Sequence, residues 1–388
     1  MDRYRQNAKW LTYFSPFREL SVSAAYLTPF FFQHGLNLYQ IFILQSIFSV
    51  AVLLWEIPSG FLADKFGRAL SIKLSAPIAA SAMIAYGLSS HFWQFVICEL
   101  ILAIGNGMIS GIDTALLLDS LKADGRENQF VKISRKIAAY GFAASGISVP
   151  LAMLLVHYVS IGSTLVMDGL FTGVGAVFAL RLVEAPRFKV KQEAVRLSAW
   201  HSMKELRHNK EAIWLVVLGA TLSSTTLIGF WMSAPYYTSI GISVVYFSAI
   251  LAARNLWKAW LSHNFSQDRH LERSMVSYAF MAGLVSLAMA TQQIWLVWTV
   301  LGHDIIQALS GQPITSLLNN HFEHEFRATM NSVVNLVRRF IFTFSGPLIG
   351  FAADKFGLST GFVILGIVST SVTLIAIFNL HKLKTFTN

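Results

Sequence analysis

Gly60-Phe61-Leu62-Ala63-Asp64-Lys65-Phe66-Gly67-Arg68 places three charges and two glycines between apolar stretches on either side, each long enough to cross a lipid bilayer. Glycine lets the backbone turn sharply, and Asp64, Lys65 and Arg68 are stable only at the water boundary or in mutual pairs. The stretch therefore reads as a short cytoplasmic hinge between two membrane spans.

The composition agrees with that reading. The 388-residue chain is 54% hydrophobic and only 13% charged, with a mean hydropathy of +0.55, whereas a soluble domain carries about 25% charged residues. A helix of about 20 residues crosses the hydrocarbon and satisfies its own backbone, so the expected class is an all-α polytopic membrane protein.

A net charge of +10 raises the question of nucleic acid, and the placement of the basic residues answers it. Arg3, Arg5 and Lys9 precede the first span, Lys65, Arg68 and Lys73 follow the second, and Lys122, Arg126 and Lys132 follow the fourth. Seven more, from Arg187 to Lys210, follow the sixth, while the loops around His34–Gln40, Ser89–His91 and Thr238–Ser243 hold no lysine or arginine. This positive-inside alternation predicts that both termini are cytoplasmic and needs no nucleic-acid partner, and the expected location is the plasma (inner) membrane. Cys98 is the only cysteine, so no internal disulfide can form. The first apolar segment lacks a cleavage site and reads as a retained span.

Twelve spans are expected, near 11–33, 38–60, 70–90, 93–119, 130–157, 163–184, 211–235, 242–263, 274–290, 293–318, 328–351 and 358–380. They divide the chain into an N-terminal six-helix bundle (1–184), a basic cytoplasmic linker (185–210) and a C-terminal six-helix bundle (211–388). In the linker Leu197, Trp200, Met203 and Leu206 recur at helical spacing, the pattern of an interfacial helix. The halves echo one another: Asp64-Lys65 after span two corresponds to Asp268-Arg269 after span eight, and Pro150 in span five to Pro347 in span eleven. Such internal repetition is expected of transporters built by duplication.

These features make the chain resemble the major facilitator superfamily. The run from Trp55 to Arg68 is similar to that family's signature between spans two and three, and the segments Ser110–Leu121 and Arg327–Val333 resemble stretches of its bacterial members. The resemblance covers nearly the whole chain and implies two pseudo-symmetric six-helix bundles, with spans one, four, seven and ten lining a central path. It also implies that Asp64 and Arg68, with Gly60, Lys65 and Gly67, form a cytoplasmic latch that closes against the start of span eleven near Arg327. Asp119 and Arg126 are further candidates for that charge cluster, or else solvated loop residues.

Polar residues inside the spans supply the candidate site. Glu99, Asn106 and Asp113 recur in steps of seven along span four, as a functional stripe or as structural partners. His303, Asp304 and Gln307 lie in span ten, where the adjacent His303 and Asp304 suggest a proton-binding pair, the alternative being a helix–helix contact. Glu19 and Tyr26 share a face of span one, with Glu19 either functional or paired with Arg18. Arg254 in span eight needs a counter-charge, from Asp304, Glu19 or an anionic solute. Arg338 reads as structural.

Other apparent motifs are discounted. Gly105 to Gly111 is one residue off a dinucleotide fingerprint but lies within a span, and Gly107 and Gly111 read as a helix-packing pair. His321, Glu323, His324 and Glu325 miss the spacing of zinc helices, no phosphate-binding loop occurs, and no nucleophile–base spacing stands out, so neither metal, cofactor nor enzymatic activity is expected. The expected function is proton-coupled secondary transport of a small molecule by alternating access, as a monomer. Efflux (antiport) of a drug-like, metabolite or siderophore-type compound is the first reading, with uptake as the alternative and a non-transporting sensor a remoter one. A path rich in aromatics and poor in carboxylates would suit an amphipathic or anionic solute.

Overall fold

The computed structural model describes residues 3–186, 209–265, 271–322, 327–383 and 385, and every regular element among them is helical. The proposed interfacial helix at Leu197–Leu206, Asp268 with Arg269, and Glu323, His324 and Glu325 lie outside the described residues. Arg327 opens a helix by its backbone, and its side chain also lies outside them.

The helices are α1 (Asn7–Glu19), α2 (Leu27–Gln33), α3 (Leu38–Phe66), α4 (Arg68–Leu88), α5 (Phe92–Gly107), α6 (Ile112–Ala123), α7 (Phe130–Tyr158) and α8 (Gly162–Ala179). They continue with α9 (Lys210–Ser239), α10 (Phe247–Asn264), α11 (Leu271–Ala290), α12 (Val300–Leu309), α13 (Gly311–Asn320), α14 (Arg327–Phe356) and α15 (Leu358–Lys382). Among the described residues, 9 helices are long and apolar enough to cross a membrane. The other three expected spans are the first and tenth, each broken into two shorter helices, and the eighth, where Arg254 and Lys258 interrupt the apolar run.

The breaks fall at defined points of the chain. Between α1 and α2 the chain leaves helical geometry at residues 20–26, and between α5 and α6 it turns at Gly111, which adopts φ +74°. Gly111 is thus a helix stop rather than half of a packing pair, and only Gly107 lies against a neighbour, the Trp55 indole. The break also divides the expected stripe, leaving Glu99 and Asn106 on α5 and Asp113 in the first turn of α6.

By their contacts the residues form two units. The first comprises 1–36, 47–189 and 244–252, and the second 37–46, 190–243 and 253–388. In the first, α4 packs most extensively on α8, where Gly169 lets the backbones meet beside Ala80 and Ile84. In the second, the most extensive packing is α11 on α15, where Gly283 and Gly366 meet. The third and sixth spans of each half thus carry the same close, small-residue contact, a repetition expected of a chain with two related halves.

Each unit has its own apolar core, one around Leu116, Leu117, Leu121 and Ile72, the other around Leu215, Leu218, Leu222 and Ile306. Many apolar side chains also face outward: Leu54, Trp93 and Leu348 are 69%, 73% and 70% exposed. Such a surface is a liability in water and is satisfied by lipid tails.

Candidate functional site

In the first unit the polar residues converge where α1 ends. Glu19 is the last residue of α1, and the carbonyls of Glu19 and Ser21 accept hydrogen bonds from Ser145 and Ser148 of α7, each at 3.1 Å. Across the break, Asp168 of α8 accepts from the backbone N–H groups of Val22 at 2.6 Å and Ser23 at 3.0 Å, and from the Ser23 hydroxyl at 2.6 Å. A carboxylate therefore satisfies the backbone donors that the interrupted helix leaves unpaired. Asp168 is 5% exposed, and sequence reasoning missed it. The signal was available, since it is the only acid in the 18 residues of α8.

Beside this break a cavity of about 320 Å³ is lined by Arg18, Glu19, Asp113, Thr114, Ser134 and Gly141 among others. Arg18 bridges its two acids, donating from Nη1 to Asp113 at 3.0 Å and from Nη2 to Glu19 at 2.6 Å. Asp113 also accepts from the Thr114 amide at 2.7 Å. Gly141 keeps the floor open, because a Cβ there would come within 3.1 Å of Glu19 Cγ. One guanidinium against two carboxylates leaves this cavity formally negative when all are ionised. A lining of that charge favours cationic or neutral hydrogen-bonding groups over anions.

Three expected members stand apart from this cavity. Glu99 is 3% exposed and accepts from the Tyr86 hydroxyl at 2.9 Å, so it is neither solvated nor in line with Asp113. Tyr26, fully buried, donates to the Val245 carbonyl at 3.0 Å and is hydrogen-bonded to the Ser248 hydroxyl at 2.9 Å. Asn106 is exposed at the end of α5.

The second unit holds a buried ionic centre. Arg254 of α10 grips Asp304 of α12 with Nε at 2.8 Å and Nη2 at 3.0 Å, and its Nη1 reaches the hydroxyls of Ser233 and Tyr237, each at 3.3 Å. One turn along α10, Lys258 donates to Gln307 Oε1 at 3.0 Å. His303 is 1% exposed, packed against Gly229, and among the described residues neither of its ring nitrogens has a hydrogen-bond partner. The expected His303–Asp304 pair is therefore not made. Neighbours on a helix point about 100° apart, and both Asp304 oxygens are taken by Arg254.

The signature stretch also resolves into contacts. Arg68 pairs with Asp119, whereas Arg126 pairs with Asp124. Glu184 accepts from the Ala69 amide at 2.9 Å and so caps the start of α4. Lys65 lies over the Phe61 and Phe66 rings at 6.0 and 5.2 Å.

A family model described as "Major Facilitator Superfamily" matches residues 10–344. The chain belongs to that superfamily. Solved structures of transporters share its fold: the nucleoside transporter NupG matches with a TM-score of 0.74 at 14% identity, over 98% of this chain and 99% of that one. A bacterial homolog of the human lysosomal transporter Spinster, inward-facing and unoccupied, matches with a TM-score of 0.70 at 17% identity, over 100% of this chain and 98% of that one. The POT family transporter PepTSo matches with a TM-score of 0.73 at 10% identity, over 97% of this chain and 98% of that one. The comparison with curated proteins returned no match. Membership in the superfamily, together with the apolar helices, makes the chain an integral membrane protein of a transporter family that handles small molecules.

Proposed function

We propose that this chain is a proton-coupled secondary transporter working by alternating access, with efflux of a drug-like or metabolite compound as its direction. The observation that carries the reading is the Arg254–Asp304 pair, an ion pair 7% and 1% exposed in helices surrounded by apolar residues. Buried charges in membrane spans are costly and usually mark ion or substrate pathways. A proton arriving on Asp304 would cancel its charge and release the guanidinium, which gives the pair two states that a solute can bias. In the first unit, Arg18, Glu19 and Asp113 would bind the polar end of the solute.

Uptake is the second reading, and one observation favours it. The Gly-Pro pair that marks many exporters of this superfamily in span five is absent there; Gly346-Pro347 lies in α14 instead. The two directions separate in everted membrane vesicles acidified inside and monitored with a pH-sensitive dye. An exporter releases protons when its solute is added, whereas a symporter instead alkalinises the medium of intact cells during uptake. A panel of solutes that moves no protons in either preparation contradicts both readings.

A further inference from the structure

The hinge sequence occurs a second time, at the other end of the chain. Phe61-Leu-Ala-Asp64-Lys65-Phe66-Gly67 closes α3, and Phe351-Ala-Ala-Asp354-Lys355-Phe356-Gly357 closes α14, the two differing only at Leu62 and Ala352. Their local structures match as well. Each helix stops at the second phenylalanine, and each glycine takes a left-handed φ, +114° at Gly67 and +96° at Gly357, before a new helix begins at the next residue. A side chain is strained at such φ, which accounts for glycine at both places. Lys355 lies over Phe351 and Phe356 at 5.5 and 5.4 Å, the arrangement Lys65 makes with Phe61 and Phe66.

The second copy shows what its aspartate does. Asp354 accepts from the backbone N–H of Leu38 at 3.1 Å through one oxygen and from that of Tyr39 at 2.7 Å through the other. These are the first two residues of α3, whose amides have no partner within the helix and whose dipole favours a negative charge. Along the same contact Gly350 and Gly346 lie against Phe42, Phe342 meets Phe42 with ring centroids 6.0 Å apart, and the Ser46 hydroxyl donates to the Thr343 carbonyl at 3.1 Å. Residues 37–46 group with the second unit, which contains α14, and the rest of α3 groups with the first. Asp64, near the last turn of α3, lies about 39 Å along that helix from Leu38 at 1.5 Å per residue, so the two copies stand at opposite ends of one membrane-spanning helix.

We propose that Asp354 is a gating residue of the outer face: its carboxylate on the start of α3 holds α3 and α14 together at that end, and the bond breaks when the path opens there. The first copy, with Asp64, is the corresponding device at the inner end. The outward placement of Asp354 follows from the basic-loop asymmetry. The proposal rests on transport by alternating access and is independent of the solute, its direction and the coupling ion.

The test uses the full chain with Cys98→Ala, which removes the only cysteine, and Ser46→Cys, a site 7% exposed in the α3–α14 contact. Labelling of that cysteine by a membrane-impermeant maleimide is timed in right-side-out vesicles without any solute, so an error about coupling or direction leaves the measurement intact. Asp354→Asn is expected to speed labelling about fivefold or more, and Asp354→Glu to leave the rate near that of the parent. Leu38→Pro deletes one of the two amide donors at the first helical position, where proline is well accommodated, and keeps the carboxylate; it is expected to speed labelling too. Asp64→Asn is expected to slow it. Size-exclusion profiles select the variants that fold. Unchanged labelling in whichever of Asp354→Asn and Leu38→Pro folds overturns the proposal, as does acceleration by Asp64→Asn equal to that by Asp354→Asn.

Discussion

Arg254 meets Asp304 side-on, Nε to Oδ2 at 2.8 Å and Nη2 to Oδ1 at 3.0 Å, so that one planar fork satisfies both oxygens of a carboxylate that is 1% exposed. That geometry suits arginine and not lysine, because only the guanidinium offers two parallel donors. Removing one partner of a buried pair leaves the other charge unpaired, which costs about 3–5 kcal/mol. Asp304→Leu is expected to lower the melting temperature of the detergent-solubilised protein sharply. The double variant Arg254→Leu with Asp304→Leu is expected to recover much of the loss, and a double variant less stable than either single one would contradict the assignment.

Asp168 bonds to a segment 145 and 146 residues away in sequence. Asp168→Ala leaves buried donors at Val22 and Ser23 unpaired, each costing about 1–3 kcal/mol. Asp168→Asn keeps an acceptor oxygen and loses the charge. Thermal unfolding should therefore rank the wild type above Asp168→Asn and Asp168→Asn above Asp168→Ala; equal melting temperatures would show that the carboxylate does not hold the break.

These two residues mark how far the sequence could be read. The helical class and the outer bounds of most spans follow from runs of apolar residues that must satisfy their own backbone, a local property. The interruptions at residues 20–26 and near Ser310 are set by tertiary contacts, so the first and tenth spans read as continuous. The sequence alone shows that Arg254 needs a partner and offers Asp304 as one of three candidates; the choice rests on how α10 and α12 pack, which spacing along one helix does not encode. Asp168 is legible by the logic applied to Asp304, an acid in an apolar helix, but its polar neighbours at helical spacing, Thr164 and Thr172, carry no charge that would mark a pair.

Gly141 keeps space beside Glu19 in the cavity of the first unit. Gly141→Leu fills that space with little change in charge. Solute flux in proteoliposomes is expected to fall at least about tenfold, the equivalent of 1.4 kcal/mol in binding, with the melting temperature nearly unchanged. Flux at the wild-type level would remove this cavity from the solute path.

Arg68 and Asp119 form a pair with side chains 26% and 12% exposed. Partial exposure limits its contribution to stability to about 1 kcal/mol. Arg68→Ala is expected to shift the melting temperature little and to slow flux markedly, with partial recovery when the charges are exchanged as Arg68→Asp with Asp119→Arg. Loss of stability without loss of flux would make the pair structural rather than part of a gate.

On the proposed mechanism, protons drive solute movement through Asp304. This coupling is tested most directly in proteoliposomes carrying an imposed pH gradient, using a solute identified by vesicle proton release and comparing the wild type with Asp304→Asn. The wild type is expected to accumulate solute against its gradient, and Asp304→Asn to exchange solute only down its gradient and to ignore the pH difference. Accumulation by Asp304→Asn at the wild-type rate, with the same dependence on the pH gradient, would contradict it.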